Sequence, residues 1–163
     1  MTNRPRRDLP FRPGAMPPLF GDTSSVLIVD DDDRFAWFLA DVLTPEGYEC
    51  TTASNAAEAR KHLDEREFAV ALVDVLMPGE SGLELADHAL AQHPHLAVVM
   101  VTGVDDPAIA DLALRSGAYG YLIKPITPNE LLVAMANAGR RRCLEIEGDA
   151  YRRRLEERLG AAD

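Results

Sequence analysis

Lysine, cysteine and long apolar runs are all scarce in this chain. No apolar segment is long enough to cross a bilayer, and the first 25 residues contain no apolar stretch of signal-peptide length, so nothing marks membrane insertion or export. Only two cysteines occur, Cys50 and Cys143. That count suits a reducing, cytoplasmic compartment, with each thiol serving as a small apolar residue. Positive charge is short as well: the net charge is -10, and with the two ends slightly basic, residues 21–139 carry -14. A body this acidic repels phosphate backbones, which argues against direct nucleic-acid binding and favours cations or basic partners.

What is present describes a globular domain. The 163 residues are 47% hydrophobic and 27% charged, enough for one core without disulfides. Residues 1–24 are rich in Arg and Pro and predict a disordered tail. Val26 to Val29 is a continuous apolar run, as in a strand buried on both faces, and it ends in Asp30-Asp31-Asp32-Asp33. Phe35, Phe38, Leu39, Val42 and Leu43 then recur at helical spacing. Asp32 and Asp33 fit the positive end of that helix. Strand-then-helix repeats: a weak strand over Cys50–Ala53, a helix capped by Ser54 over 55–65, a buried strand Ala69–Val73 reaching Asp74, and a helix from Leu83. A strand over Leu96–Val101 reaches Thr102, a helix over 106–116 stops at Gly117, and a strand over Tyr119–Ile123 reaches Lys124. Thr127-Pro128 opens a last helix running to about Leu159. Alternating strands and helices predict an α/β fold with a parallel sheet covered on both faces.

The strong polar residues sit at the carboxyl ends of buried strands: Asp30 and Asp31, Asp74, Thr102 and Lys124. In an open α/β sheet those ends converge on one crevice. Clustered carboxylates need a compensating charge, and a hard cation with oxygen ligands supplies it; magnesium fits best because it leaves positions open for phosphate. One aspartate can then act as a nucleophile toward phosphorus, with the Thr102 hydroxyl and the Lys124 ammonium serving the phosphoryl oxygens. His88, His93 and His95 match no compact metal spacing and read as loop residues. Arg140 to Arg142 and Arg152 to Arg154, interspersed with acids, read as charged helix faces.

Together, Val26 to Asp31, Leu72 to Gly79 with Ser81-Gly82-Leu83, Val101-Thr102-Gly103 and Gly120 to Pro125 resemble the receiver domain of bacterial two-component response regulators. The resemblance covers about residues 25–140. It implies a flavodoxin-like, doubly wound five-stranded parallel sheet of order 2-1-3-4-5, with residues 141–163 as a helical extension. It also implies Asp74 as phospho-acceptor, Asp31 as direct magnesium ligand, Asp30 as its water-mediated neighbour and the Leu76 backbone carbonyl as a further ligand. Thr102 would be the switch hydroxyl, Tyr121 the switch aromatic and Lys124 the phosphate-binding lysine. The partners implied are a histidine kinase or phosphotransfer protein of a phosphorelay and a downstream protein target. Two positions depart from the family. Leu76 offers no polar group to position a hydrolytic water, and Tyr119-Gly120 replaces acidic residues that one branch uses in a charged dimer contact.

Two other readings compete. A haloacid-dehalogenase-like aspartyl phosphatase uses similar residue types, but Arg34 stands where that motif expects Thr or Val, and no acidic pair on a strand follows Lys124. A dimerisation module without signalling conflicts with the complete acidic site. The expectation is therefore a phosphate-accepting signalling protein, not an enzyme. Only 39 residues follow Lys124, which predicts a stand-alone receiver without a DNA-binding domain. Leu144, Tyr151, Leu155 and Leu159 lie near one stripe of the final helix, which predicts self-association through it.

Overall fold

The computed structural model describes residues 24–161, so the tail expected over 1–24 lies, apart from Ser24, outside the described residues. The first strand, β1, is Ser25–Val29 and is followed by α1, Asp33–Leu43, and a short 3-10 turn, Thr44–Glu46. Then come β2 (Glu49–Ala53), α2 (Ala56–Glu65), β3 (Val70–Asp74), α3 (Gly82–Gln92), β4 (Ala97–Thr102), α4 (Pro107–Arg115), β5 (Gly120–Ile123) and α5 (Pro128–Gly160). The strands form one parallel sheet in the order β2-β1-β3-β4-β5.

The period-2 geometry of a strand explains why the interiors of β1, β3 and β4 are apolar at every position. Val26 and Ile28 point to one face and pack with Leu39 and Leu43 of α1 and Leu131 and Met135 of α5. Leu27 and Val29 point to the other and pack with Ala59 and Leu63 of α2, Leu85 of α3 and Ala113 of α4. With a core on each side, every residue of the three central strands is buried. Polar residues occur there only at strand ends: Ser25 opens β1 with its hydroxyl donated to the Glu67 carbonyl at 3.1 Å, while Asp74 and Thr102 close β3 and β4 at their carboxyl ends. The chain passes from β2 across β1 to β3, so the order reverses beside β1 and a crevice opens beyond the ends of β1 and β3.

Helix ends follow local chemistry. The Asp32 carboxylate accepts the backbone N–H groups of Arg34 and Phe35 at the start of α1. Thr127 and Glu130 form a reciprocal capping box at the start of α5, with Pro128 in the first turn. Gly117 takes φ 100° just beyond α4, and the next residue, Ala118, donates back to the Ala113 carbonyl at 3.1 Å. One cap differs from expectation. Asn55, not Ser54, caps α2 by accepting the Glu58 N–H at 2.9 Å, because the Ser54 hydroxyl is engaged with Asp33 at 3.0 Å.

Helix α5 is an unbroken 33 residues, on the order of 50 Å. It runs straight across residues 140 and 141, and polar contacts hold it to the body well beyond them. The Arg142 Nε donates to the His95 carbonyl at 2.8 Å, and His95 Nε2 lies 3.4 Å from an Asp149 oxygen. The Tyr119 hydroxyl donates to Glu145, while the Arg141 guanidinium lies 4.1 Å over the Tyr119 ring. His95 is thus more than a solvated loop residue, since the helix packs on it. From Ala150 to Ala161 every residue is exposed.

Candidate functional site

Three carboxylates meet at the crevice. Asp30 follows β1 and Asp74 ends β3, and both are buried, whereas Asp31 faces solvent. One oxygen from each of the three lies within 4.8 Å of the others. Lys124, just past β5, closes the site from the opposite side: its Nζ donates to Asp30 Oδ2 at 2.7 Å and to Asp74 Oδ2 at 3.4 Å. The remaining Asp30 oxygen accepts the Asp32 N–H at 2.8 Å, and Asp74 Oδ1 accepts the Leu76 N–H at 3.2 Å. Asp74, Asp30 and Lys124 therefore form one hydrogen-bonded set, built from the ends of three strands far apart along the chain.

Burial, and then the charge of Asp30, push the Asp74 carboxyl up to about 6 against the pull of Lys124 and the Leu76 N–H. For Lys124, burial works against the charged form, but the Asp30 hydrogen bond and the two carboxylates outweigh it and raise its pKa. A site with two buried acids and one lysine remains short of positive charge. The donor set is all oxygen, which suits a hard divalent cation, and an Asp30, Asp31 and Asp74 cluster fits magnesium by that chemistry.

Thr102 is fully buried at the end of β4, and its Oγ1 accepts the Val104 N–H at 3.2 Å. Tyr121, on β5, donates its hydroxyl to the Val104 carbonyl at 2.8 Å. One loop residue therefore links the two residues expected to switch. Leu76 projects from the loop after β3 and is 56% exposed, so an apolar side chain stands at the mouth of the site.

Sequence reasoning did not find two further contributors. Phe35, in the first turn of α1, places its ring 4.2 Å from the Lys124 Nζ. Its helical spacing marked it only as a packing residue. Gly82 opens α3 with its N–H donated to the Val75 carbonyl at 2.9 Å, so close to β3 that a Cβ there would lie 1.9 Å from the Asp74 carbonyl oxygen. The Pro78-Gly79 and Gly82 pattern signalled a loop but not that contact.

The chain matches the family model of the response regulator receiver domain over residues 26–136. It is 36% identical over 113 residues to the DNA-binding transcriptional regulator NtrC of Escherichia coli, covering 69% of this chain and 24% of that protein. It is 32% identical over 138 residues to a cyclic di-GMP phosphodiesterase of Thermotoga maritima, covering 83% of this chain and 36% of that protein. The chain thus spans about a quarter to a third of those relatives. Among solved structures, a CheY-like receiver domain protein from Methanospirillum hungatei superposes with TM-score 0.72 at 31% identity, covering 76% of this chain and 98% of that one. NtrX from Brucella abortus superposes with TM-score 0.76 at 32% identity, covering 80% of this chain and 30% of that one. The sheet order expected from resemblance is the order observed. With the family match running from the first strand into the last helix, the chain belongs to the receiver domains of the response regulators.

Proposed function

We propose that this protein accepts a phosphoryl group on Asp74 from a histidine kinase or phosphotransfer protein, and that the acyl phosphate changes a protein-binding surface. The observation that carries this reading is the triangle of Asp74, Asp30 and Lys124 at the carboxyl end of the sheet. A buried carboxylate is there held against a lysine and beside an oxygen-lined cation site. One Asp74 oxygen attacks phosphorus, the bond to the donor's leaving group breaks with its electron pair, and an acyl phosphate results. Asp31 and Asp74, the Leu76 backbone carbonyl and, through water, Asp30 would hold magnesium, which neutralises phosphoryl charge when bound. Lys124 supplies the remaining positive charge from the other side.

Phosphorylation adds roughly -1.5 to -2 charges beside two potential donors, Lys124 and the Thr102 hydroxyl. Turning the Thr102 Oγ1 toward the phosphoryl group takes it from the Val104 N–H, and Tyr121 is tied to the same residue through its carbonyl. The loop 103–106 is then the element that moves. Thr102→Ala is expected to take up phosphate from acetyl phosphate at close to the wild-type rate while losing most of the phosphorylation-dependent change in tyrosine and backbone signals of loop 103–106. A full response in Thr102→Ala, followed by NMR, would place the coupling elsewhere.

The projecting end of α5 carries Tyr151, Leu155 and Leu159, all exposed, and we assign it to self-association with a second copy. Arg152 to Arg154 and Glu156-Glu157 supply charges of both signs on the same segment, so two such helices can pair. Truncation after Ala150 keeps the helix contacts that reach Asp149. That protein should remain folded and run as a monomer in sedimentation, where the full chain runs as a dimer. A monomeric full chain would remove the assignment.

A further inference from the structure

The ammonium of Lys124 meets two unlike kinds of partner: the carboxylates of Asp30 and Asp74, and the Phe35 ring 4.2 Å away. The ring belongs to α1, whose start is pinned to the site because Asp32 both caps the helix, accepting the Phe35 N–H at 3.3 Å, and donates its own N–H to Asp30. Phe35 also leans on Phe38 one turn on, with centroids 6.0 Å apart, so the ring has a neighbour that restrains it. It is half-buried and lies at the mouth of the site rather than in the deep core.

We propose that Phe35 is a positioning residue for Lys124 in phosphoryl transfer. The negative face of the ring attracts the ammonium and keeps water from its outer side. Without the ring, the lysine's long flexible stem leaves the ammonium free to turn outward into water, because a surface-directed lysine is strongly hydrated and has many rotamers. When phosphate arrives on Asp74, the ammonium must exchange part of its bond to Asp30 for one to a phosphoryl oxygen. With the Phe35 ring 4.2 Å away, the ammonium keeps one partner throughout that exchange. Among the described residues, no other aromatic ring lies within cation–π distance of Lys124. This role rests on the reading of Asp74 as phospho-acceptor.

Two measurements test it on the full chain. The protein has only two lysines, Lys61 and Lys124, so a spectrum of Cε-labelled lysine contains two signals. The Lys124 ε-protons should be displaced upfield by the ring in the wild type, stay so in Phe35→Tyr, and return to the ordinary position in Phe35→Leu. Phosphorylation is then followed with acetyl phosphate and magnesium. Phe35→Leu preserves apolar bulk and should react about three- to tenfold more slowly, the effect of one partly desolvated cation–π contact. Phe35→Tyr should retain the wild-type rate. In a Lys124→Gln background, Phe35→Leu should cause no further slowing.

Equal rates for Phe35→Leu and the wild type would overturn the proposal. So would the same slowing with or without Lys124, which would assign the effect to packing, or a ring shift absent from the wild type. If the wild type itself takes up no phosphate that depends on Asp74, the phospho-acceptor reading fails and this role fails with it. That result is separate from a loss confined to Phe35→Leu.

Discussion

Asp74→Asn should take up no phosphate from acetyl phosphate in the presence of magnesium, and in the absence of divalent cation it should unfold at higher temperature than the wild type. The two effects have one cause. An amide has nearly the shape of a carboxylate but is neither charged nor a nucleophile toward phosphorus, so the acceptor chemistry is lost. The same change removes a buried negative charge from beside Asp30. In the folded protein the Asp74 carboxyl is pushed up to about 6 from its ordinary 3.8. An acid whose pKa is raised by folding favours the folded state while protonated. Its contribution is complete below about pH 4 and is lost as the pH climbs through about 6. The shift corresponds to on the order of 3 kcal/mol lost by pH 7. Urea unfolding of the wild type at roughly pH 4.5 and pH 7, which span most of this window, should show about two thirds of that loss relative to Asp74→Asn. Added magnesium should restore stability to the wild type more than to the variant, since the cation offsets a charge that the amide lacks. Stoichiometric phosphate on Asp74→Asn would move the acceptor to another residue. An unchanged difference in stability between the two proteins across that pH range would mean that the site tolerates the charge without cost.

Gly82→Ala should destabilise the fold by on the order of 2–3 kcal/mol and slow phosphorylation as well. The added methyl would lie 1.9 Å from the Asp74 carbonyl oxygen, 2.8 Å from its carbonyl carbon and 3.0 Å from the Val75 Cα. All three are backbone atoms, so no side-chain rotamer can relieve the clash, and α3 must withdraw from the end of β3. That movement drags on the loop that carries the Leu76 N–H, one of the hydrogen bonds to the Asp74 carboxylate. Gly148→Ala is the control, because nothing lies within 4 Å of the position a Cβ would take in α5. There the substitution should stabilise by up to about 1 kcal/mol through helix propensity alone. Urea midpoints measure both. Equal stability of Gly82→Ala and the wild type would show that α3 can shift without disturbing the sheet.

Much of this molecule is legible along the chain because the signals involved are local. A strand buried on both faces must be apolar at every position, so Val26–Val29 and Val98–Val101 declare themselves. Acids at the ends of such runs stand out against them. Helix starts at Asp32 and Thr127 depend on a side chain reaching two or three residues ahead, which the sequence displays directly. The strand order, by contrast, came only through resemblance to a family, since periodicity does not say which strand lies beside which. The roles of Thr102 and Lys124 follow from their places at the ends of buried strands, whereas Asp74 is singled out as the acceptor only by the resemblance; the fold brings Asp74 and Lys124 together.

Tertiary structure decided everything that depends on contacts between distant segments. Lys124 and Asp30 are 94 residues apart, yet share a 2.7 Å hydrogen bond. The Phe35 ring looks like any apolar helix residue until α1 docks and sets it over that lysine. Gly82 looks like a chain-breaker until α3 closes to within contact of the Asp74 carbonyl. The length of α5 was evident from its composition, but where it leaves the body was not: Arg142 and Asp149 are ordinary members of a charged face until the helix crosses the loop that holds His95. The physical reason is common to all four. Propensity and periodicity act within a few residues, so they are written in order along the chain. A crevice or a close approach is set by how whole elements pack, and two cores of well-fitted side chains fix that arrangement only after every element is in place.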